Sequence, residues 1–279
     1  MSGNQESSAS HWKSRTRPKL LSEKDAKAVD DVFNNALVEA VGAGPGKNII
    51  DLAAGTGDPS ISIAETLQFQ KGGSVTAIDL TYEMLSIARE RADLLNYSNI
   101  YFAICDMEHL PFPDKSFDGA TCRLGLMFPE NKANCAKEAS RVIKPGGVAA
   151  YLCWGTLEDN PAFSLFAEAI GALFGKPFQM RSVRYSLGLP GAISQILVAA
   201  GFAEVREKSI PFYRRVKIGD DYFRKSYSRT WPDEVGRLKI DEWTELIKIT
   251  EKKFSKYQKG EEFIIPNAAN LATGIVNGK

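Results

Sequence analysis

The sequence predicts an α/β protein with a mostly parallel sheet, and three observations predict it. Short apolar runs recur between residues 47 and 154, segments with helix-spaced apolar residues separate them, and a glycine turn joins the first run to the first such segment. The run KNIIDLA at 47–53 leads through AGTGDP into SISIAETLQ, and a second run, SVTAIDL at 74–80, carries an acid near its end. Strand, glycine turn, helix and strand form a βαβ unit, whose crossover connection requires parallel strands. The alternation continues with a helix over 82–95, strands at 100–105 and 119–124, a helix at 132–142 and a strand at 147–154 after the turn KPGG.

Beyond Trp154 the pattern changes. Helices are expected at 161–174 and 189–200, with Gly201 stopping the second, followed by a strand at 203–209. The charged, aromatic stretch 219–257 reads as two helices, and 262–276 returns as a last strand. A helix is also expected over 22–41, capped by Ser22, with Ala26, Val29, Phe33, Leu37 and Val41 on one face. Seven strands covered by helices on both faces give a Rossmann-like architecture, with about 219–257 as a helical cap insertion.

Composition bounds the function. The chain has 279 residues, 44% hydrophobic and 25% charged, which suits one main core better than two independent domains. Lys and Arg total 35 against 34 Asp and Glu, so no net field draws it to nucleic acid or an anionic membrane. The run RKSYSRTWPDEVGRLK mixes both signs, as a solvated helix face does. No stretch approaches the roughly 20 apolar residues of a membrane span. The polar residues 1–10 lack the apolar core of a secretory signal, and residues 1–20 are expected to be disordered or lid-forming.

The cysteines Cys105, Cys122, Cys135 and Cys153 form no CxxC pair, and His11 and His109 add no metal-ligand spacing, so no metal site is expected. Buried thiols in a reducing, cytoplasmic setting are the expectation. Phe128, Trp154, Phe174, Tyr213, Tyr222, Tyr227 and Trp231 are candidates for core packing first and for an acceptor site second.

The chemistry concentrates at the ends of the first two strands. Gly55 and Gly57 let a ligand approach the main chain, and Asp79 is placed to accept hydrogen bonds from both hydroxyls of a ribose. Asp51 is suited to hold the loop or a cofactor ammonium group. NAD enzymes share this geometry through GxGxxG, but Ser60 stands here at the third glycine position. That favours a cofactor without a pyrophosphate.

The segments IIDLAAGTGDPSISIA, VTAIDLTYEMLSIARERA, FAICDMEHLPFPDKSFDGATCRLGLMF and EASRVIKPGGVAAYLCW occur in this order between about Asn48 and Trp154. They resemble class I S-adenosylmethionine (SAM)-dependent methyltransferases, and within them the small-molecule enzymes similar to those of ubiquinone and menaquinone biosynthesis. The resemblance implies a single methyltransferase domain over 21–279 with 47–154 as its SAM-binding core. It implies that the loop containing Asp51, Ala53, Gly55, Thr56 and Gly57 lines the methionine moiety and that Asp79 grips the ribose. Leu80 and Met84 would pack near the adenosine, while Asp106 and the Met107 backbone would meet the adenine. Arg123 would lie near the cofactor's amino-acid end or the acceptor.

The Tyr-Asp segment of the quinone-pathway enzymes has no counterpart here, which argues against a quinone acceptor. Residues EEFIIPNAANLATGIVNGK resemble the closing strand of related methyltransferases with other substrates. The expected reaction is therefore methyl transfer (EC 2.1.1.-) from SAM to a carbon, nitrogen or oxygen of a small-molecule acceptor. An NAD(P)-dependent oxidoreductase and a SAM-binding protein with a non-methylating reaction are the alternatives. Displacement at a sulfonium needs a base only if the acceptor must lose a proton, and His109, Tyr213 and Tyr222 are weak candidates. His11 qualifies only if the N-terminal segment folds over the pocket. Asp106 has an alternative role as a loop cap, His109 as a surface residue and Arg123 as the partner of a structural carboxylate.

Overall fold

The computed structural model describes residues 32–69, 72–179 and 182–278. The expected tail at 1–20, the Ser22 cap and His11 lie outside them. The described residues fall into two compact units, the first within Met1–Cys153, Leu189–Ile210 and Asn270–Lys279, the second Trp154–Gly188 and Pro211–Ala269.

The first unit opens with α1 (Val32–Ala40), β1 (Asn48–Leu52), α2 (Ser60–Phe69), β2 (Ser74–Asp79), α3 (Tyr82–Leu94), β3 (Ile100–Ile104), β4 (Phe117–Arg123), α4 (Lys132–Val142) and β5 (Ile143–Trp154). Then come α5 (Pro161–Phe174), a 3-10 turn (Ser182–Tyr185), α6 (Ala192–Ala199) and β6 (Phe202–Lys217). The chain closes with α7 (Tyr222–Thr230), α8 (Pro232–Val235), α9 (Ile240–Phe254), a second 3-10 turn (Ser255–Tyr257), β7 (Gln258–Lys259) and β8 (Glu262–Val276).

Seven strands follow the order β3-β2-β1-β4-β5-β8-β6, and the two-residue β7 pairs with β8. The pairs β1/β2, β1/β4, β2/β3 and β4/β5 are parallel. The α/β fold and its mostly parallel sheet are as expected. At the centre, Ile49, Ile50, Asp51 and Leu52 of β1 are fully buried. Strands flanked on both sides read as continuous apolar runs, so the one carboxylate among them stands out.

Three local expectations need correction. KPGG is no turn before β5 but lies inside it: Phe117 faces Ile143 while Gly119 faces Val148, and the register shifts between them. A bulge absorbs the extra residues. Its left-handed residue is Gly146 (φ 79°), and any Cβ at Gly147 would come within 2.4 Å of the Ile143 side chain. β6 runs to Lys217, well past residue 209, because Pro211 sits in a strand at the end of the sheet order, where a missing N–H is tolerated. The stretch 219–257 forms three helices, since Pro232 starts the short α8 between α7 and α9.

In the second unit α5 begins with Pro161 in its first turn and ends on Gly175 in the left-handed conformation (φ 64°). At its core, the Phe166 ring meets Tyr227, Phe254, Phe223 and Tyr222 at centroid distances of 5.1, 5.2, 5.8 and 6.1 Å. The buried Tyr227 hydroxyl pairs with Thr250 Oγ1 at 2.6 Å, so the polar tip of this core residue is satisfied. Trp231 belongs to the same core, whereas Phe174 is 38% exposed. Among the described residues no helix is long and apolar enough to cross a membrane.

Candidate functional site

The turn after β1 is held at successive points. Ala53 takes φ 53°, a conformation that costs a residue with a side chain. Ala54 N–H donates to Ile78 O at 2.8 Å, and Gly57 N–H donates to Ala54 O at 2.9 Å. Gly55 N–H donates to Asp79 Oδ2 at 2.9 Å. The other oxygen of Asp79 accepts from Thr81 N–H at 2.9 Å, at the entry to α3. Burial raises the Asp79 pKa, and the Thr81 and Gly55 N–H groups oppose the rise. A carboxylate has about four lone-pair sites, so these two bonds leave acceptor capacity for ligand hydroxyls.

The two glycines differ. A Cβ on Gly55 (φ 55°) would meet nothing within 4 Å, so the space beside this backbone is open to a ligand. A Cβ on Gly57 (φ 102°) would lie 3.2 Å from both Ala88 Cβ and Ile61 Cγ1. Gly57 is therefore where α2 and α3 close against the turn. The substitution Gly57→Val is expected to destabilise the fold by about 1–3 kcal/mol in urea unfolding, through backbone strain, and to weaken S-adenosylhomocysteine binding in titration calorimetry. Wild-type values for both would show that the turn accepts a side chain.

Asp51 is wholly buried, and its oxygens accept from two different hydroxyls: Oδ2 from Ser60 Oγ and Oδ1 from Thr121 Oγ1 at 2.8 Å. Burial pushes its pKa up to about 7, the two hydroxyls pull it down and Asp58 pushes it further up. The geometry builds the loop-holding role, tying the end of β1 to the first residue of α2 and to β4.

Around this turn Leu80 is 44% exposed and Met84 is buried. The end of β3 is joined to that of β2 by Cys105 N–H donating to Asp79 O at 3.1 Å. The next residue, Asp106, is exposed and accepts from Glu108 N–H at 2.9 Å, while Met107 is buried. Exposed His109 donates its N–H to Asp106 O at 3.0 Å in the same turn. Three of the four cysteines are buried, and Cys105 is half-buried with its thiol pushed up to about 11 by burial, then by Asp106 and Asp79. Arg123 ends β4 with its guanidinium carbon 5.7 Å from the Phe33 ring centroid. Beyond it Leu124 takes φ 57°, and a Cβ on Gly125 would fall 2.6 Å from Ala53 Cβ. The adjacent ends of β1 and β4 thus turn through the same left-handed conformation and meet where only a glycine fits.

Asp51, Ala53, Gly55, Thr56, Gly57 and Asp79 are brought together by this turn, with the Asp106 and Met107 segment joined to it through Cys105. Tyr213 and Tyr222 belong to the second unit, where Tyr213 is 69% exposed and Tyr222 packs on Phe166 and lies under Arg214, at 5.4 Å. Arg91 and Asp58 are not among the site residues predicted from the sequence. Arg91 Nη1 donates to Asp58 Oδ2 at 3.0 Å and to Thr56 O at 2.6 Å, and Nη2 donates to Asp58 Oδ1 at 3.1 Å. Both side chains are buried, and Asn34 Nδ2 adds a 3.3 Å bond to Asp58 Oδ1. Ser60 and Thr121 were missed as partners of Asp51. Adjacency to the glycine turn is a signal for Asp58 and Ser60, but no spacing announces Arg91 or Thr121.

A family model described as a methyltransferase domain matches residues 43–168. The demethylmenaquinone methyltransferase of Listeria monocytogenes (serotype 4a) is 32% identical over 174 residues, which are 58% of this chain and 72% of that protein. The chain belongs to the class I SAM-dependent methyltransferases. A ubiquinone/menaquinone biosynthesis C-methyltransferase of Cellvibrio japonicus is 33% identical over 129 residues, 46% of this methyltransferase and 51% of that one. The solved phosphoethanolamine N-methyltransferase 2 of Haemonchus contortus, in complex with SAM, matches in fold with a TM-score of 0.54 at 18% identity, over 88% of this chain and 52% of that one. The methyltransferase uses SAM as its cofactor and acts on a small molecule, so the oxidoreductase alternative is set aside.

The residues present fit that cofactor. Asp79 retains acceptor capacity, the space beside Gly55 is open and Leu80 offers an exposed apolar side chain two positions before Tyr82 begins α3.

Proposed function

We propose that this methyltransferase moves the methyl group of SAM to a carbon atom of a small acceptor, and that the substrate of its relatives, a demethylmenaquinone, is the first acceptor to test. The observation that carries the proposal is the 32% identity to a demethylmenaquinone methyltransferase over 72% of its length. SAM supplies the methyl group together with a neutral thioether as leaving group. The protein's share is positioning, which brings acceptor and methyl carbon into line and supplies much of the rate. In this reading Asp79 holds the ribose hydroxyls, Leu80 and Met84 pack on the adenosine, and Asp106 with the Met107 backbone meets the base. The turn from Asp51 to Gly57 holds the methionine end, and Arg123 orients its amino-acid group or the acceptor. No residue is assigned as proton acceptor. A cytoplasmic location belongs to the same proposal, supported by four free cysteines.

The test is incubation with methyl-labelled SAM and a reduced, short-chain demethylmenaquinone, followed by mass spectrometry. The expected result is a singly methylated product with one S-adenosylhomocysteine per methyl transferred. An unmodified quinone beside labelled products from a metabolite extract would reject the quinone and keep the methyltransferase. That second reading, an acceptor other than a quinone, is favoured by the missing Tyr-Asp segment and by a match confined to 58% of this chain. We assign the choice of acceptor to residues 219–257, the expected cap insertion. Exchanging them for the corresponding stretch of a relative is expected to change the acceptor while leaving S-adenosylhomocysteine affinity unaltered.

A further inference from the structure

We infer that Arg91 is a positioning residue for the cofactor turn, acting through the Thr56 carbonyl and the Asp58 carboxylate. The inference rests on the reading of the turn from Asp51 to Gly57 as the cofactor loop. The turn is tied to its surroundings on three sides: Gly55 to Asp79, Ser60 to Asp51, and Thr56 with Asp58 to Arg91. The first two ties use residues next to the turn in space and in motif. The third reaches in from the last turns of α3, 33 positions beyond Asp58.

Its chemistry is specific to a guanidinium. The fork faces Asp58 with both terminal nitrogens, at 3.0 and 3.1 Å, while Nη1 also donates to Thr56 O at 2.6 Å. A planar group that satisfies a carboxylate and a carbonyl together fixes the peptide plane between Thr56 and Gly57, which an ammonium at the same place does less well. One turn of α3 earlier, Ala88 backs Gly57 so closely that a Cβ there would lie 3.2 Å from its own Cβ. The helix that starts just after the Asp79–Thr81 bond thus sets both the packing and the carbonyl orientation of the turn. Arg91 is 3% exposed, so its influence on the cofactor runs through the turn rather than through direct contact.

A buried ion pair often stabilises little compared with apolar residues of like volume, whereas losing one partner strands a buried charge. That asymmetry separates positioning from mere stability. Arg91→Met is expected to lower Tm and to weaken S-adenosylhomocysteine binding by about tenfold or more, because the charged hydrogen bonds to the turn are gone. The double variant Arg91→Met with Asp58→Leu is expected to recover Tm but not affinity, since Thr56 O still lacks its donor. Arg91→Lys is expected to fold and to bind with intermediate affinity.

Affinity is read by titration calorimetry with S-adenosylhomocysteine, at a temperature where circular dichroism shows each variant folded. If the double variant regains wild-type affinity along with its Tm, or if Arg91→Lys binds as the wild type does, Arg91 is structural only and the inference is overturned. Those two variants decide the matter even where Arg91→Met alone does not fold. Gly57→Val tells the two levels apart: lowered stability with unchanged affinity there refutes the loop assignment itself, while weakened affinity beside a wild-type-like double variant refutes only the role of Arg91.

Discussion

Replacing Asp79 with Ala is expected to weaken S-adenosylhomocysteine binding by about a hundredfold or more, with the fold intact. Two hydrogen bonds from ribose hydroxyls to a carboxylate contribute about 1.5–3 kcal/mol each, and losing both outweighs most other single changes at the site. The same carboxylate accepts from Gly55 and Thr81 N–H at 2.9 Å each, so part of the loss comes from a turn that is less well held. A 2′-deoxy analogue of S-adenosylhomocysteine separates the two contributions. It is expected to bind wild type more weakly than the parent ligand does, whereas Asp79→Ala is expected to bind the two ligands almost equally, because the partner of the missing hydroxyl is already gone. Equal affinity of wild type and Asp79→Ala for the parent ligand would refute the ribose assignment. Additive losses in the cycle would leave Asp79 with only its loop-holding bonds.

The βαβ pattern, the positions of β1, β2 and β8 and the identity of the glycine turn were legible because each rests on local signals. Periodicity, a glycine pair and an acid near a strand end all lie within a few residues of one another. KPGG shows the limit of that logic: the residues that make a turn in isolation also make a bulge when a neighbouring strand is there to pair, and the neighbour is β4, 26 positions upstream at Phe117↔Ile143. Pro211 shows another, since whether a proline breaks a strand depends on the strand's place in the sheet. At the site, Asp79 and Gly55 could be read from their places in a recurrent motif. Arg91 and Thr121 could not, because the pairings Arg91–Asp58 and Thr121–Asp51 span 33 and 70 positions and arise from helix and strand packing. For Asp51, the bonds from Ser60 and Thr121 at full burial account for the loop-holding role, which local spacing alone does not distinguish from contact with a cofactor ammonium group.

That burial gives Asp51 a marked effect on stability against pH. With its folded pKa raised to about 7 from an ordinary 3.8, the native state holds a proton that the unfolded chain has released over most of the interval between. Wherever the native state binds more protons, stability falls as pH rises, so the Asp51 contribution is greatest below the unfolded pKa and is lost as pH climbs through about 7. Each pKa unit corresponds to about 1.4 kcal/mol, which makes the loss between pH 5 and pH 8 roughly 2–3 kcal/mol. Asp118 and Glu138, whose pKa values are lowered in the folded protein, work in the opposite direction and lose their contributions as pH falls. The comparison is therefore between wild type and Asp51→Asn, in which those groups cancel. The amide keeps an acceptor for one of the two hydroxyls and has no charge to desolvate. Urea unfolding across this range is expected to show Asp51→Asn gaining on wild type by roughly 2–3 kcal/mol as pH rises from 5 to 8. Parallel pH profiles for the two proteins would mean that Asp51 is ionised throughout. The two hydroxyls from Ser60 and Thr121 would then hold it as a buried carboxylate and outweigh the desolvation that raises its pKa.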